Sequence, residues 1–124
     1  MYLILQQEKP EDFVLATGIT TTVREFVRKS FFELGIEIVF EGKNEKEVAK
    51  VIKCAGHSFL EIGKIVVEVD PKYYRPTEVD LLIGDATKAK EKLGWEPKYN
   101  LDELIKEMVN NDYNKTKSKI NKNV

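Results

Sequence analysis

Cysteine and histidine are nearly missing from the 124 residues, with Cys54 and His57 the single example of each. One cysteine excludes an internal disulfide framework, and one histidine beside it leaves a Cys/His metal site short of ligands. No apolar run approaches the roughly 20 residues that span a bilayer. The opening MYLILQQEKP has neither a basic n-region nor a small-residue cleavage site. No signal peptide is expected, and the default compartment is a reducing cytoplasm. No G-x-G-x-x-G, G-x-x-x-x-G-K-[ST], G-x-S-x-G or H-E-x-x-H occurs. A dinucleotide fingerprint, a P-loop, a nucleophile elbow and a zincin helix therefore have no basis in this sequence.

What is present is an ordinary globular balance, 42% apolar and 33% charged, at a length that predicts one domain. The net charge of −1 is unevenly spread. Residues 114–124 hold four lysines and no acid, and the remaining 113 carry 16 basic against 21 acidic side chains. The mildly acidic body argues against a nucleic-acid-binding surface. The tail, with only Ile120 and Val124 apolar, is expected to be disordered. Its lysines could draw a polyanion weakly, but a solvated end is the plainer reading.

Along the chain, MYLILQQ predicts a short helix closed by Pro10. Such an apolar segment either lies on this domain's own core or was cut from a larger protein. DFVLATG (12–18) reads as a buried strand. Thr22 and Glu25 have capping-box spacing, Val23, Phe26, Val27, Phe31 and Leu34 form a helical stripe, and Gly35 suits a left-handed cap. IEIVFEG (36–42) reads as a second strand, and strand–helix–strand predicts a parallel βαβ unit. EKEVAKVIKC reads as about two helical turns, with Val48, Val51 and Ile52 on one side. KIVVEVD (64–70) reads as a strand. An ordered loop with a short strand near Leu81–Ile83 should follow. Asp85 can cap a helix that Gly94 ends, with Trp95 and Pro97 forming a turn. Asn100 can cap a last helix with Leu101, Leu104, Ile105, Met108 and Val109 inward.

Two groupings carry possible chemistry. Cys54 and His57 could be a nucleophile and its base, or a structural cysteine and a loop histidine, with no orienting group at a recognisable spacing. YYRPTEVD (73–80) follows a strand, where ligands of α/β sheets bind. Arg75, stiffened by the following proline, can make paired bonds to phosphate oxygens. Glu78 can accept from the two hydroxyls of a ribose. The pair forms either a nucleotide-diphosphate clamp or a salt bridge that fixes the loop.

PEDFVLATG, TTTVREFV and VEVDPKYYRPTEVDLLIGDATKAKEKLGWEPKYNLDELIKEMV together resemble the C-terminal part of the GDP-mannose 4,6-dehydratase family, extended short-chain dehydrogenase/reductases of nucleotide sugars. The resemblance covers about residues 1–113 and is most specific over Asp70–Trp95. It implies an α/β substrate-binding lobe of short, mostly parallel strands with flanking helices, lacking the Rossmann domain, followed by the basic tail at 114–124. It implies a lyase reaction of GDP-mannose to GDP-4-keto-6-deoxymannose, toward GDP-fucose, in which bound NADP takes a hydride from sugar C4 and returns it at C6. Arg75 would contact the diphosphate and Glu78 the ribose of GDP or GDP-mannose.

The family's catalytic Thr, Glu, Tyr and Lys and its NADP-binding glycines belong to the larger N-terminal domain. No catalytic residue, metal ligand or bound NADP is therefore expected here, and the chain alone should be inactive. It reads as a fragment whose partner could be a separate NADP-binding polypeptide, the intact family being homo-oligomeric. Alternatives are a non-enzymatic protein-interaction module, or the substrate lobe of another sugar-nucleotide epimerase or dehydratase.

Overall fold

Thr22 stops the chain in an extended conformation, and its hydroxyl accepts the N–H of Glu25 at 3.1 Å. One of the four orphan donors of a helix start is thereby satisfied. The computed structural model, which describes residues 1–55, 60–75 and 82–122, starts helix α2 (Val23–Glu33) at this cap. The expected reciprocal half of the capping box is replaced, because the Glu25 carboxylate is held by Arg28 through two bonds of 3.0 and 2.7 Å. Gly35 closes the helix with φ +75°, where a Cβ would meet the carbonyl oxygen of Ala55 at 2.8 Å.

The chain turns directly into β1 (Ile36–Glu41), crosses a 3-10 turn at Asn44–Lys46, and returns as β2 (Val48–Cys54). β3 (Ile65–Glu68) completes a sheet of order β1-β2-β3, antiparallel throughout. The expected parallel βαβ unit is thus corrected. Its first strand, 12–18, does not form, and β1 pairs instead with β2 across the tight reversal Gly42–Glu47, where Gly42 and Asn44 have positive φ. The expected helix at 45–54 is corrected as well. Its Val48, Val51 and Ile52 fit a helical spacing, but pairing to both neighbours buries Ala49 and Val51 completely, and β-branched residues suit that half-buried pleat.

Ile36, Ile38, Ala49 and Val51 form the core, with Val27, Phe31 and Leu34 of α2 packed on it. On the opposite face, Lys53 pairs with Glu37 at 3.2 Å and Lys50 with Glu41 at 2.6 Å. α4 (Leu101–Lys122) lies beside α2 and buries Ile105, while Leu104 and Met108 stay about half exposed. α4 continues to Lys122 over the basic segment, with residues 114–121 exposed. Extending a formed helix adds one bond per residue fixed, and lysine propagates it well.

The chain divides into two compact units, Met1–Thr21 with Val79–Asn100, and Thr22–Glu78 with Leu101–Val124. The second unit holds the sheet, α2 and α4. The first holds α1 (Tyr2–Leu5) and α3 (Thr87–Leu93). α1 ends at Leu5, well before Pro10. Residues 12–18 and the described 82–83 form no strand, in contrast to expectation. They still belong together, since Thr20 donates to the Leu82 carbonyl at 3.1 Å and a Cβ on Gly84 would clash with that of Ala16. Leu81 lies outside the described residues. Asp85 accepts from Thr87 N at 2.9 Å ahead of α3, and Gly94 ends it at φ +63°.

Ile38→Ala should lower the unfolding free energy by about 2–5 kcal/mol, because a core methylene set is lost from a closed layer. Thr22→Ala should cost about 1 kcal/mol through the lost cap. Val23→Ala, at a position 81% exposed, should change stability by less than about 0.5 kcal/mol. Urea unfolding of the three variants checks this order, and a Val23 effect equal to that of Ile38 would contradict the packing described.

Candidate functional site

β3 ends at Glu68, and the segment after it is held by backbone chemistry. The Asp70 carboxylate accepts the N–H of Lys72 at 2.9 Å, and its carbonyl accepts the N–H of Tyr73 at 3.0 Å. Tyr74 N–H reaches the Pro71 carbonyl at 3.4 Å. This side-chain-supported turn, of the kind aspartate favours, delivers Arg75 to the surface with its side chain exposed. Tyr74 is half-buried beside it, and Tyr73 is exposed under the ammonium of Lys72, 5.4 Å from the ring centre.

Among the described residues Arg75 has no ion-pair partner, and Glu78 lies outside them. Lys72 is the residue that sequence reasoning passed over. It places a second cation on the turn that carries Arg75, and its position two residues after Asp70 was the available signal.

Of the other sequence candidates, Cys54 ends β2 half-buried against the core, and His57 lies outside the described residues. A Tyr-x-x-x-Lys spacing does occur at Tyr113 and Lys117, one turn apart on α4 in its exposed final third. Among the described residues no glycine-rich loop precedes a helix, and the first turn of α2 is already capped by Thr22. The described residues do not fit a dinucleotide. Among the described residues no cluster of three His, Cys, Asp or Glu side chains could hold a metal ion. No described helix is long and apolar enough to cross a membrane.

A cleft of about 660 Å³ lies between α2, the sheet and the start of α4. It excludes Arg75. Four of its charged groups are paired, Glu25 with Arg28 and Lys29 with Asp102. In the other unit, Glu11 receives both Lys92 and Lys88, and Lys88 also bonds the Asp12 carbonyl and lies 4.9 Å from the Phe13 ring centre. The bonds from Lys92 and then Lys88 hold the Glu11 carboxyl below its ordinary 4.5. These pairs fasten α3 to residues 11–13.

The matched family model is that of GDP-mannose 4,6 dehydratase, over residues 1–108. The GDP-mannose 4,6 dehydratase of Homo sapiens is 57% identical over 112 residues, 90% of this chain and 28% of that protein. That of Dictyostelium discoideum is 54% identical over 112 residues, 90% of this chain and 29% of its own length. The Yersinia enterocolitica GDP-mannose 4,6-dehydratase is 49% identical over 118 residues, 94% of this chain and 32% of its own length. The chain belongs to the GDP-mannose 4,6-dehydratase family. It spans less than a third of the curated relatives it matches.

Glu11 has a folded pKa below its unfolded value, so its pairing stabilises the fold above about pH 4.5 and is lost as pH falls through the folded pKa. Lys92→Ala should move the Glu11 carboxyl back up toward 4.5. A carbon-detected NMR titration reads this, and an unmoved titration would remove Lys92 from the pair.

Proposed function

We infer that this chain supplies the nucleotide-binding portion of a GDP-mannose 4,6-dehydratase, with Arg75 on the diphosphate and Glu78 on the ribose of GDP-mannose. The observation that carries the reading is family membership over residues 1–108 together with an exposed Arg75 directly after the Asp70 turn. A guanidinium presented to solvent with its backbone fixed loses little entropy on gripping a diphosphate. Lys72 adds positive charge at the same turn.

Hydride transfer and proton abstraction need an NADP site and an activated tyrosine, and the described residues offer no cradle for the cofactor. The chain then acts only with a cofactor-binding domain or polypeptide. The first compact unit supports such a neighbour. Ala89 is its one buried residue among those described, while Tyr2, Leu5, Val14, Ile19, Leu82 and Ile83 are all more than half exposed. Apolar surface on that scale marks a covered interface rather than a solvated one. The cytoplasm, where nucleotide sugars are reduced and rearranged, is the proposed compartment.

Titration calorimetry of the chain with GDP, UDP and dTDP tests the site. GDP should bind most tightly. Arg75→Ala should weaken it by roughly 2 kcal/mol, about thirtyfold, as for a lost charged hydrogen bond. Equal affinity for the three nucleotides, or unchanged GDP binding in Arg75→Ala, would overturn the assignment.

A further inference from the structure

Arg24 and Arg28 each hold a carboxylate, those of Glu47 and Glu25. Among the described residues the remaining arginine, Arg75, holds none, and neither does Lys72 just before it in the chain. Both are exposed. The chain between them is drawn in by two overlapping turns, in which the Asp70 carbonyl accepts the N–H of Tyr73 at 3.0 Å and the Pro71 carbonyl that of Tyr74 at 3.4 Å. Three residues span at most about 10 Å when fully extended. A turned stretch spans less, so the two long side chains can meet over a common point. The acid of this turn, Asp70, is engaged with the backbone, its carboxylate accepting the Lys72 N–H at 2.9 Å. The Lys72 ammonium rests 5.4 Å from the Tyr73 ring centre, an attraction that limits where it swings. Like charges so placed repel. The pair therefore adds nothing to the stability of the turn and calls for an anion from outside it.

We propose that Lys72 is a second phosphate-binding residue, which takes the phosphate remote from the ribose while Arg75 grips the diphosphate, so that the site selects nucleoside diphosphates over monophosphates. This rests on the proposed function, in which the ribose contact follows Arg75 in the chain. Lys72 precedes Arg75 and so falls on the distal side of the diphosphate. The division of labour suits the two side chains. The planar guanidinium makes paired, directed bonds to phosphate oxygens, whereas the ammonium is a compact point charge that needs no fixed direction of approach. A monophosphate leaves the ammonium without an anion, and the preference for a diphosphate follows from that difference.

Titration calorimetry of the full chain with GDP and with GMP, at low and high salt, tests this. Lys72→Gln should weaken GDP binding roughly tenfold, as for one charge-assisted bond, and leave GMP binding unchanged. Lys72→Arg keeps the charge and should keep the affinity for GDP. Added salt should erode the preference for GDP over GMP in the wild type more than in Lys72→Gln. Glutamine retains the N–H that Asp70 accepts, and circular dichroism establishes that the variants fold alike. If Arg75→Ala weakens GDP binding while Lys72→Gln leaves it unchanged, or weakens GDP and GMP alike, the role of Lys72 is overturned and the proposed function stands. If Arg75→Ala has no effect, or the wild-type chain binds neither nucleotide, the proposed function falls and the role of Lys72 with it.

Discussion

Packing of α2 on one face of the β1–β2 hairpin is the constraint on which the larger unit depends. Ile36, Ile38, Ala49 and Val51 are nearly or wholly removed from solvent, and Val27, Phe31 and Leu34 cover them. No polar or charged residue is buried among those described, so the interior of the layer is apolar throughout. Gly35 makes the layer possible, because with Leu34 it joins the helix to β1 in two residues, at a place where a Cβ would strike Ala55. Arg24 then ties the far end, with Nε 2.8 Å from the Glu47 carboxylate and its guanidinium 5.6 Å from the Phe40 ring centre. That contact braces the reversal between β1 and β2.

The smaller unit is organised differently. It has almost no buried apolar residue and is fastened by ion pairs to Glu11 and by a close approach of Gly84 to Ala16. Exposed ion pairs of this kind contribute little each. Its large apolar side chains remain open to solvent, which supports the reading that a cofactor-binding neighbour covers them. The turn at Asp70–Tyr74 belongs to the other unit and presents Arg75 without drawing on that neighbour.

Legibility in the sequence tracked the range of the interaction. The α2 start at Thr22, its end at Gly35, the Asp85 turn and the Gly94 cap all rest on contacts a few residues apart, and each was readable. β2 was misread because Val48, Val51 and Ile52 fit a helical spacing as well as a strand, and the deciding partners on β1 and β3 are remote in sequence. The strand expected at 12–18 failed for the same reason, since an apolar run becomes a strand only where a ladder partner exists. Arg75 was legible as an exposed cation beside a proline. Lys72 was not, because its place beside Arg75 comes from the Asp70 turn.

Sequence alone determined where α2 begins and ends and where α3 stops, that no internal disulfide or transmembrane helix is available, and which family the chain joins. Each of these follows from residue identity within a few positions, or from a long matched run. Tertiary structure decided the strand pairing, its antiparallel sense, and which apolar residues are covered. Those depend on which distant segments meet, and the burial free energy that selects between a helical and an extended Val48–Cys54 exists only once β1, β2 and α2 are together.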